Sequence, residues 1–384
     1  MSSSQQSGQA AEPSSLRVRR IDAAAHLVKP HQIRESLAVN GRFWDRNSML
    51  VGVQASLASA ITLVFWLVSP WPHLAGFAAV GALAVLFGRF APAGGRGRVV
   101  LTCALWLVFA VVSMSAAAAF GAPVPVRLGL VALACGFFFF VVNTMRLGLP
   151  GPLIFVFAAG AATGDVGSWL EVLERGVAMA LSGGVAWIIA IAFEGLRPVV
   201  PPDAPRPIEP VRPLNHRLVA AGRITLGAAI AVFLAHACGS QHPAWAAMGT
   251  LAVMQGAYLH LSMNRALQRV AGTILGAGLV WMVLAQEPST WIVVALVVGL
   301  QFVIEMVIGA NYALGQMFVT PLALLMSYLA TNGASGTPMV GERVLDTVVG
   351  ACIGIVLSVI CSTLDDRVQL ARHHAARLAQ NPER

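Results

Sequence analysis

The stretch Asn264–Leu279, NRALQRVAGTILGAGL, decides how the chain is read. Arg265 and Arg269 stand one helical turn apart, and the segment then runs into apolar sequence broken by three glycines. Such a helix is suited to lipid along its length and to charge at its mouth. A worn copy of the phrase, GRVVLTCAL at Gly97–Leu105, occurs 171 residues earlier.

Working outward, 57% of the 384 residues are hydrophobic, 11% are charged and the mean hydropathy is +0.74. Soluble domains carry about 25% charged residues, so a soluble globule is excluded. A bilayer core of roughly 30 Å takes about 20 apolar residues per helix. Twelve stretches of that kind are expected as spans. In the first half they are Met49–Ser69, His73–Phe90, Val99–Phe120, Leu128–Thr144, Leu149–Ala162 and Gly176–Phe193. In the second half they are Leu218–Ala237, Ala244–Leu261, Val270–Ala285, Trp291–Gly309, Tyr312–Ala330 and Val344–Leu364. Leu149–Ala162 is short and holds Pro150 and Pro152, which suits a broken or re-entrant helix.

Between the halves, Gly195–Asn215 contains seven prolines and reads as an extended cytoplasmic linker. Superposing the halves aligns Pro72 with Pro243 and Arg98 with Arg269 at 171 residues, Pro152 with Pro321 at 169, and Glu174–Arg175 with Glu342–Arg343 at 168. The expected fold is therefore all-α, with about twelve transmembrane helices in two parallel six-helix repeats at 49–194 and 216–364. A basic, disordered segment at 1–48 and a tail at 365–384 complete the plan. No cleaved signal is expected at the start.

Basic residues mark the cytoplasmic side. With the N-terminus inside, 22 of the 25 Lys/Arg fall on inner segments, and only Arg127, Arg175 and Arg343 fall on outer loops. Both termini are thus expected in the cytoplasm of a multi-pass bacterial inner-membrane protein. The net charge of +8 is spread along these flanks rather than gathered on one module, so no nucleic-acid partner is expected.

The five cysteines lie in or at the ends of apolar segments without CxxC spacing, and neither disulfides nor a metal site is expected. Lys29 is the only lysine and lies outside any phosphate-binding loop; HExxH is also absent. Neither an enzyme nor a cofactor is expected. His373 and His374 fall in the polar tail.

Ionisable groups within apolar runs are the functional candidates. Glu305 follows Gln301 by four residues on one helical face. It can be a titratable or substrate-contacting acid, or a carboxylate that reaches water or joins two helices. Asp346, close to Glu342 and Arg343, is expected in a local ion pair. Arg223 can snorkel to the interface or pair with Glu305. Arg265 and Arg269 can draw an organic anion while also obeying the orientation rule, and Arg98 heads the matching helix of the first half. Asn311, Tyr312, Gln316 and Thr320 surround Pro321, where an unwound stretch can line a path. Gly272/Gly276 and Gly350/Gly354 form GxxxG pairs that let backbones approach.

The segments PAWAAMGTLAVMQGAY, NRALQRVAGTILGAGL, NYALGQMFVTPLALLMSYLA and GERVLDTVVGACIGIVL resemble the fusaric-acid-resistance and aromatic-acid-exporter family of bacterial inner-membrane proteins. That family is in turn similar to plant aluminium-activated malate channels. The resemblance is carried by about Arg223–Ser362; the first half keeps fragments around Arg98, Pro152 and Glu174–Arg175. It implies export of aromatic or other organic acids, often beside a periplasmic adaptor protein. Unlike long members, this chain is expected to lack large cytoplasmic domains after the bundles.

The leading expectation is a secondary transporter moving a small organic anion outward, with Arg265 and Arg269 recruiting it and Glu305 coupling to protons. An organic-anion channel is the alternative, and a non-transporting scaffold for envelope proteins is a third. The lipid bilayer is an expected partner in each case, and a homo-oligomer is compatible with all three.

Overall fold

The apolar runs become helices, and a computed structural model describes residues 46–92, 94–197, 212–256, 259–331 and 336–362. Residues 1–45 of the expected segment 1–48, most of the linker and the tail 365–384 lie outside the described residues. In chain order, the first half contains α1 (Arg46–Val68), α2 (Ala75–Ala82, flanked by 3-10 turns at Pro72–Leu74 and Leu83–Leu86), α3 (Arg96–Ala119), α4 (Val124–Met145), α5 (Leu153–Ala161) and α6 (Trp169–Ala192). The second half contains α7 (Leu214–Ala237), α8 (Ala244–Met254), α9 (Leu259–Leu284), α10 (Thr290–Val307), α11 (Tyr312–Ala330) and α12 (Pro338–Ile360). With one further 3-10 turn at Glu194–Leu196, these helices and turns are all the regular structure among the described residues.

Nine of the helices are long and apolar enough to cross a bilayer; α2, α5 and α8 are shorter. The outward faces are apolar as well as the inward ones. On α3, Leu101, Leu105 and Phe109 are exposed while Val100, Cys103, Ala104 and Leu107 are buried. Apolar surface recurs around the bundle in this way, which fits lipid as the solvent and makes this a multi-pass membrane protein.

Two expected spans are corrected, and a third is short as its prolines suggested. Ala244–Leu261 is two elements, because α8 ends at Met254 and a separate helix starts at Leu259. A side chain at Gly256 would press on Ser262, so the chain folds back at this glycine instead of continuing. His73–Phe90 is likewise interrupted by 3-10 turns. Leu149–Ala162 yields only the nine residues of α5, after Pro150 and Pro152 have delayed helix formation.

Close packing follows the small residues. A side chain at Gly272 would sit 2.6 Å from the Ala313 carbonyl oxygen, and one at Gly276 would strike that of Met317. α9 therefore lies directly on the α11 backbone. Gly350 meets Ala246 and Gly354 meets Val253, which seats α12 on α8. Elsewhere α3 packs on α6, and α2 on α6; between the halves α4 packs on α7, α1 on α10, α5 on α8 and α2 on α11. Helix starts are fixed locally: Ser168 accepts from the Glu171 amide ahead of α6, and Asn311 Oδ1 accepts from the Ala313 and Leu314 amides ahead of α11.

Candidate functional site

The glycine contacts bring four helices of the second half around one polar group. From the middle of α9, Arg269 points at α11, where Tyr312, Gln316 and Thr320 recur every fourth residue. Its Nη1 lies 3.5 Å from both the Tyr312 hydroxyl and Gln316 Oε1. Gln316 Nε2 donates to Thr320 Oγ1 at 3.3 Å and faces Thr273 Oγ1 at 3.5 Å. Opposite, Arg343 of α12 lies with its guanidinium carbon 5.0 Å from the centre of the Trp245 ring of α8. The charges of Arg269 and Arg343 act on one another.

Both guanidinium groups are almost wholly enclosed: Arg269 is 2% exposed and Arg343 is 1%. Neither forms an ion pair among the described residues. Among the described residues, Nε of Arg269 and both Nε and Nη1 of Arg343 have no hydrogen-bond partner. Two buried like charges with unmet donors are costly, and Trp245 supplies only part of the compensation. A carboxylate offers the matching fork of acceptors.

A second polar network joins the halves. The Arg89 guanidinium, on the turn after α2, pairs with the Glu305 carboxylate near the end of α10. Glu305 is 6% exposed and faces Gly52 of α1. Arg96, at the start of α3, is fully buried and donates to the Val85 carbonyl at 2.9 Å, with Nε and Nη1 unmet. Arg197 bridges Glu194 at 2.8 Å and the carbonyls of Arg89 and Ala91. Gln301 and Gln54 are buried; among the described residues Nε2 of Gln301 and both amide atoms of Gln54 have no partner.

The corners ahead of α2 and α8 resemble each other. His73 faces Glu174 at 3.7 Å, and Arg175 lies 5.0 Å from the Phe77 ring. In the second half His242 faces Glu342 at 2.9 Å beside the Arg343–Trp245 contact.

Several sequence expectations change. Glu305 pairs with Arg89, while Arg223 stands half-buried on α7 without that acid. Arg98 is exposed, and the buried arginine at the head of α3 is Arg96. Asp346 forms no ion pair among the described residues; it bonds Ser240 Oγ at 2.8 Å. Arg127, Arg175 and Arg343 belong to helices rather than to outer loops: Arg127 pairs with Asp165 and Arg175 with Glu171, while Arg343 has, among the described residues, only the Trp245 face. α11 runs unbroken through Pro321, with the Thr320 hydroxyl donating to the Gln316 carbonyl at 3.0 Å, so no unwound stretch forms. Asn311 caps that helix. Arg265 is half-buried one turn from Arg269. Sequence reasoning passed over Arg343, Trp245, Arg89 and Arg96. The aligned Glu-Arg pairs at 174–175 and 342–343 were the signal that pointed to Arg343.

Two surface clefts lie away from the arginine pair. One of about 340 Å³ is lined by Leu67, Pro72, Trp291 and Tyr328; another of about 380 Å³ is lined by Gly97, Arg98, Trp187 and Glu194. Neither is bordered by Arg269 or Arg343.

No solved structure matches the chain. The uncharacterized membrane protein YvaC of Bacillus subtilis (strain 168) is 32% identical over 111 residues, which are 29% of this chain and 18% of that protein. The chain thus covers less than a fifth of that relative's length. Residues 229–357, from α7 to the last turn of α12 and including the arginine pair, match the family model described as fusaric acid resistance protein-like.

Proposed function

We propose that the protein is a secondary transporter of the bacterial inner membrane that exports aromatic or other organic acids, with both termini in the cytoplasm and proton coupling. The observation that carries this reading is the enclosed pair Arg269 and Arg343, each with unmet donors, beside the polar row of α11 that Arg269 Nη1 contacts. Inside an apolar bundle such a pair is retained at considerable cost unless an anion completes it. The fusaric acid resistance-like match spans the same segment.

A two-repeat plan supports a site between helices that move. The packing pairs map onto one another when each helix is replaced by its counterpart in the other half: α3–α6 by α9–α12, α2–α6 by α8–α12, α4–α7 by α10–α1, and α5–α8 by α11–α2. The paired His–Glu and Arg–aromatic corners follow the same correspondence. Parallel repeats related by an axis along the membrane normal give this pattern. In this arrangement the Arg89–Glu305 pair ties one half to the other, and protonation of Glu305 would release it. An adaptor protein on the periplasmic side and a homo-oligomer fit the plan.

An anion channel is the second reading, favoured by one observation: Glu305 is already engaged by Arg89 and is not needed for passive anion flow. Flux of radiolabelled organic acids in proteoliposomes, with and without a pH gradient, separates the two. Coupled transport predicts gradient-driven flux that E305Q abolishes. Equal flux through both proteins, indifferent to the gradient, refutes coupling and leaves the channel.

A further inference from the structure

We propose that Asp346 is a proton-binding site, that Ser240 and Glu342 form the hydrogen-bonded route by which its proton comes and goes, and that His242 holds Glu342 in place. The purpose assigned to it rests on the anion-transport reading; the proton count does not.

The count starts at Ser240. Its Oγ lies 2.8 Å from Asp346 Oδ2 and 2.9 Å from Glu342 Oε1. A serine hydroxyl has one proton to donate, and an ionised carboxylate only accepts. Two full, unshared hydrogen bonds at these distances require that one of the acids carries a proton. Glu342 already takes N–H donors: its Oε1 accepts from the backbone amides of Gln241 and His242, and its Oε2 faces His242 Nδ1 at 2.9 Å. Asp346, 4% exposed, has Ser240 as its partner. The proton therefore sits on Asp346, which donates to Ser240, which donates to Glu342.

A second observation points to what this proton controls. Arg343, three residues earlier on the same helix, is the buried guanidinium with unmet Nε and Nη1. Next to Asp346, Thr347 is buried with its hydroxyl unpartnered. The titratable and charged groups around Asp346 are Glu342 and Arg343 on α12 and His242 ahead of α8. Arg269 of α9 and Tyr312 of α11 act on Arg343. α7 also packs on α12 and carries Arg223 and His236, neither of which bonds Asp346.

In the transfer, the O–H bond of Asp346 breaks as its proton passes to Ser240 Oγ, and the proton of Ser240 passes to Glu342. Glu342, whose side chain is 18% exposed, then loses a proton to water, while His242 Nδ1–H stays bonded to its other oxygen. Asp346 is left as a carboxylate on the same helix as Arg343 and supplies the missing acceptor. While protonated, it leaves Arg343 to an external carboxylate. Proton and organic anion thus promote each other's binding, and the linkage is reciprocal. The first half keeps the His73–Glu174 pair but has Ala178 at the place of Asp346 in the 168-residue alignment, which confines the device to the second half.

Two readouts on the full-length protein in lipid nanodiscs test this. Infrared difference spectra of wild type against D346N at neutral pH, with no anion added, should show one protonated carboxyl stretch lost with Asp346. In S240A that stretch should move, because its acceptor is gone. Benzoate serves as the anion probe, since carboxylates remain ionised above about pH 5. Its binding to wild type should weaken about tenfold between about pH 5.5 and 8, a coupling of ordinary size. In D346N the dependence should vanish, leaving tight binding throughout. Absence of the carboxyl stretch overturns the proton site whatever benzoate does. A stretch that stays put in S240A overturns the route and decides the matter if D346N fails to fold. Unchanged pH dependence in D346N overturns the link to Arg343. A stretch that behaves as expected without benzoate binding at any pH upholds the proton site and counts against the transport reading instead.

Discussion

Replacing Glu305 by Gln should destabilise the fold far more than a change at the membrane surface. The Arg89 and Glu305 side chains are 10% and 8% exposed, so the pair is buried and its Coulomb attraction is little screened. Removing one partner of such a pair costs about 3–5 kcal/mol, because the other charge stays buried alone. Here the orphan is Arg89, with Arg96 and Arg197 as like-charged neighbours and its own Nε already unmet. Its residual exposure admits some water, which sets the expected cost of E305Q near the lower end, about 3 kcal/mol. R89Q should cost less, about 2 kcal/mol, because Arg96 remains to face Glu305. The double variant should recover part of the loss, with a coupling of about 1.5 kcal/mol. Reversible unfolding in mixed detergent micelles, followed by helical circular dichroism, gives all three values. An E305Q cost below about 1 kcal/mol, or strictly additive single changes, would falsify the pairing as a tie between the halves. The double variant also separates stability from coupling in flux assays, since it removes the acid without stranding Arg89.

Gly350→Val should cost about 3 kcal/mol or prevent folding, because the new side chain meets the Ala246 carbonyl across the α8–α12 contact. Gly278→Ala, with open space at its Cβ, should be neutral or slightly stabilising in the same thermal melts. W245L should weaken the hold on Arg343 and lower the melting midpoint by an amount matching about 1–2 kcal/mol, the worth of a desolvated cation–π contact. In intact cells, a membrane-impermeant maleimide should label exposed Cys238 from outside and spare the buried Cys103 and Cys135; labelling of Cys238 only in inverted vesicles would reverse the proposed orientation.

Much of the helical plan was legible because apolar runs bounded by Pro, Gly and charge have few other fates in lipid. The break at Gly256 was not, since QGAY interrupts hydropathy too little to mark a fold-back. Arg98 was chosen over Arg96 through the alignment with Arg269. Two residues on a helix differ by about 200° around the axis, so one of the two arginines had to face out. Arg343 at the edge of an apolar run read as a topology signal, because basic residues at such edges usually are one. Only tertiary packing encloses it under Trp245. The Arg89–Glu305 pair spans 216 residues and has no local signature. The polar row Tyr312, Gln316, Thr320 was visible from its spacing of four, and the structure places Arg269 against it.

The most direct measurement of the central claim is organic-acid flux in proteoliposomes containing R269Q or R343Q, each checked for a wild-type melting profile. The account predicts saturable flux in the wild-type protein and a loss of at least about tenfold in each variant, as expected when a charge-assisted carboxylate contact of about 1.5–3 kcal/mol is removed. Undiminished flux in both folded variants would contradict it.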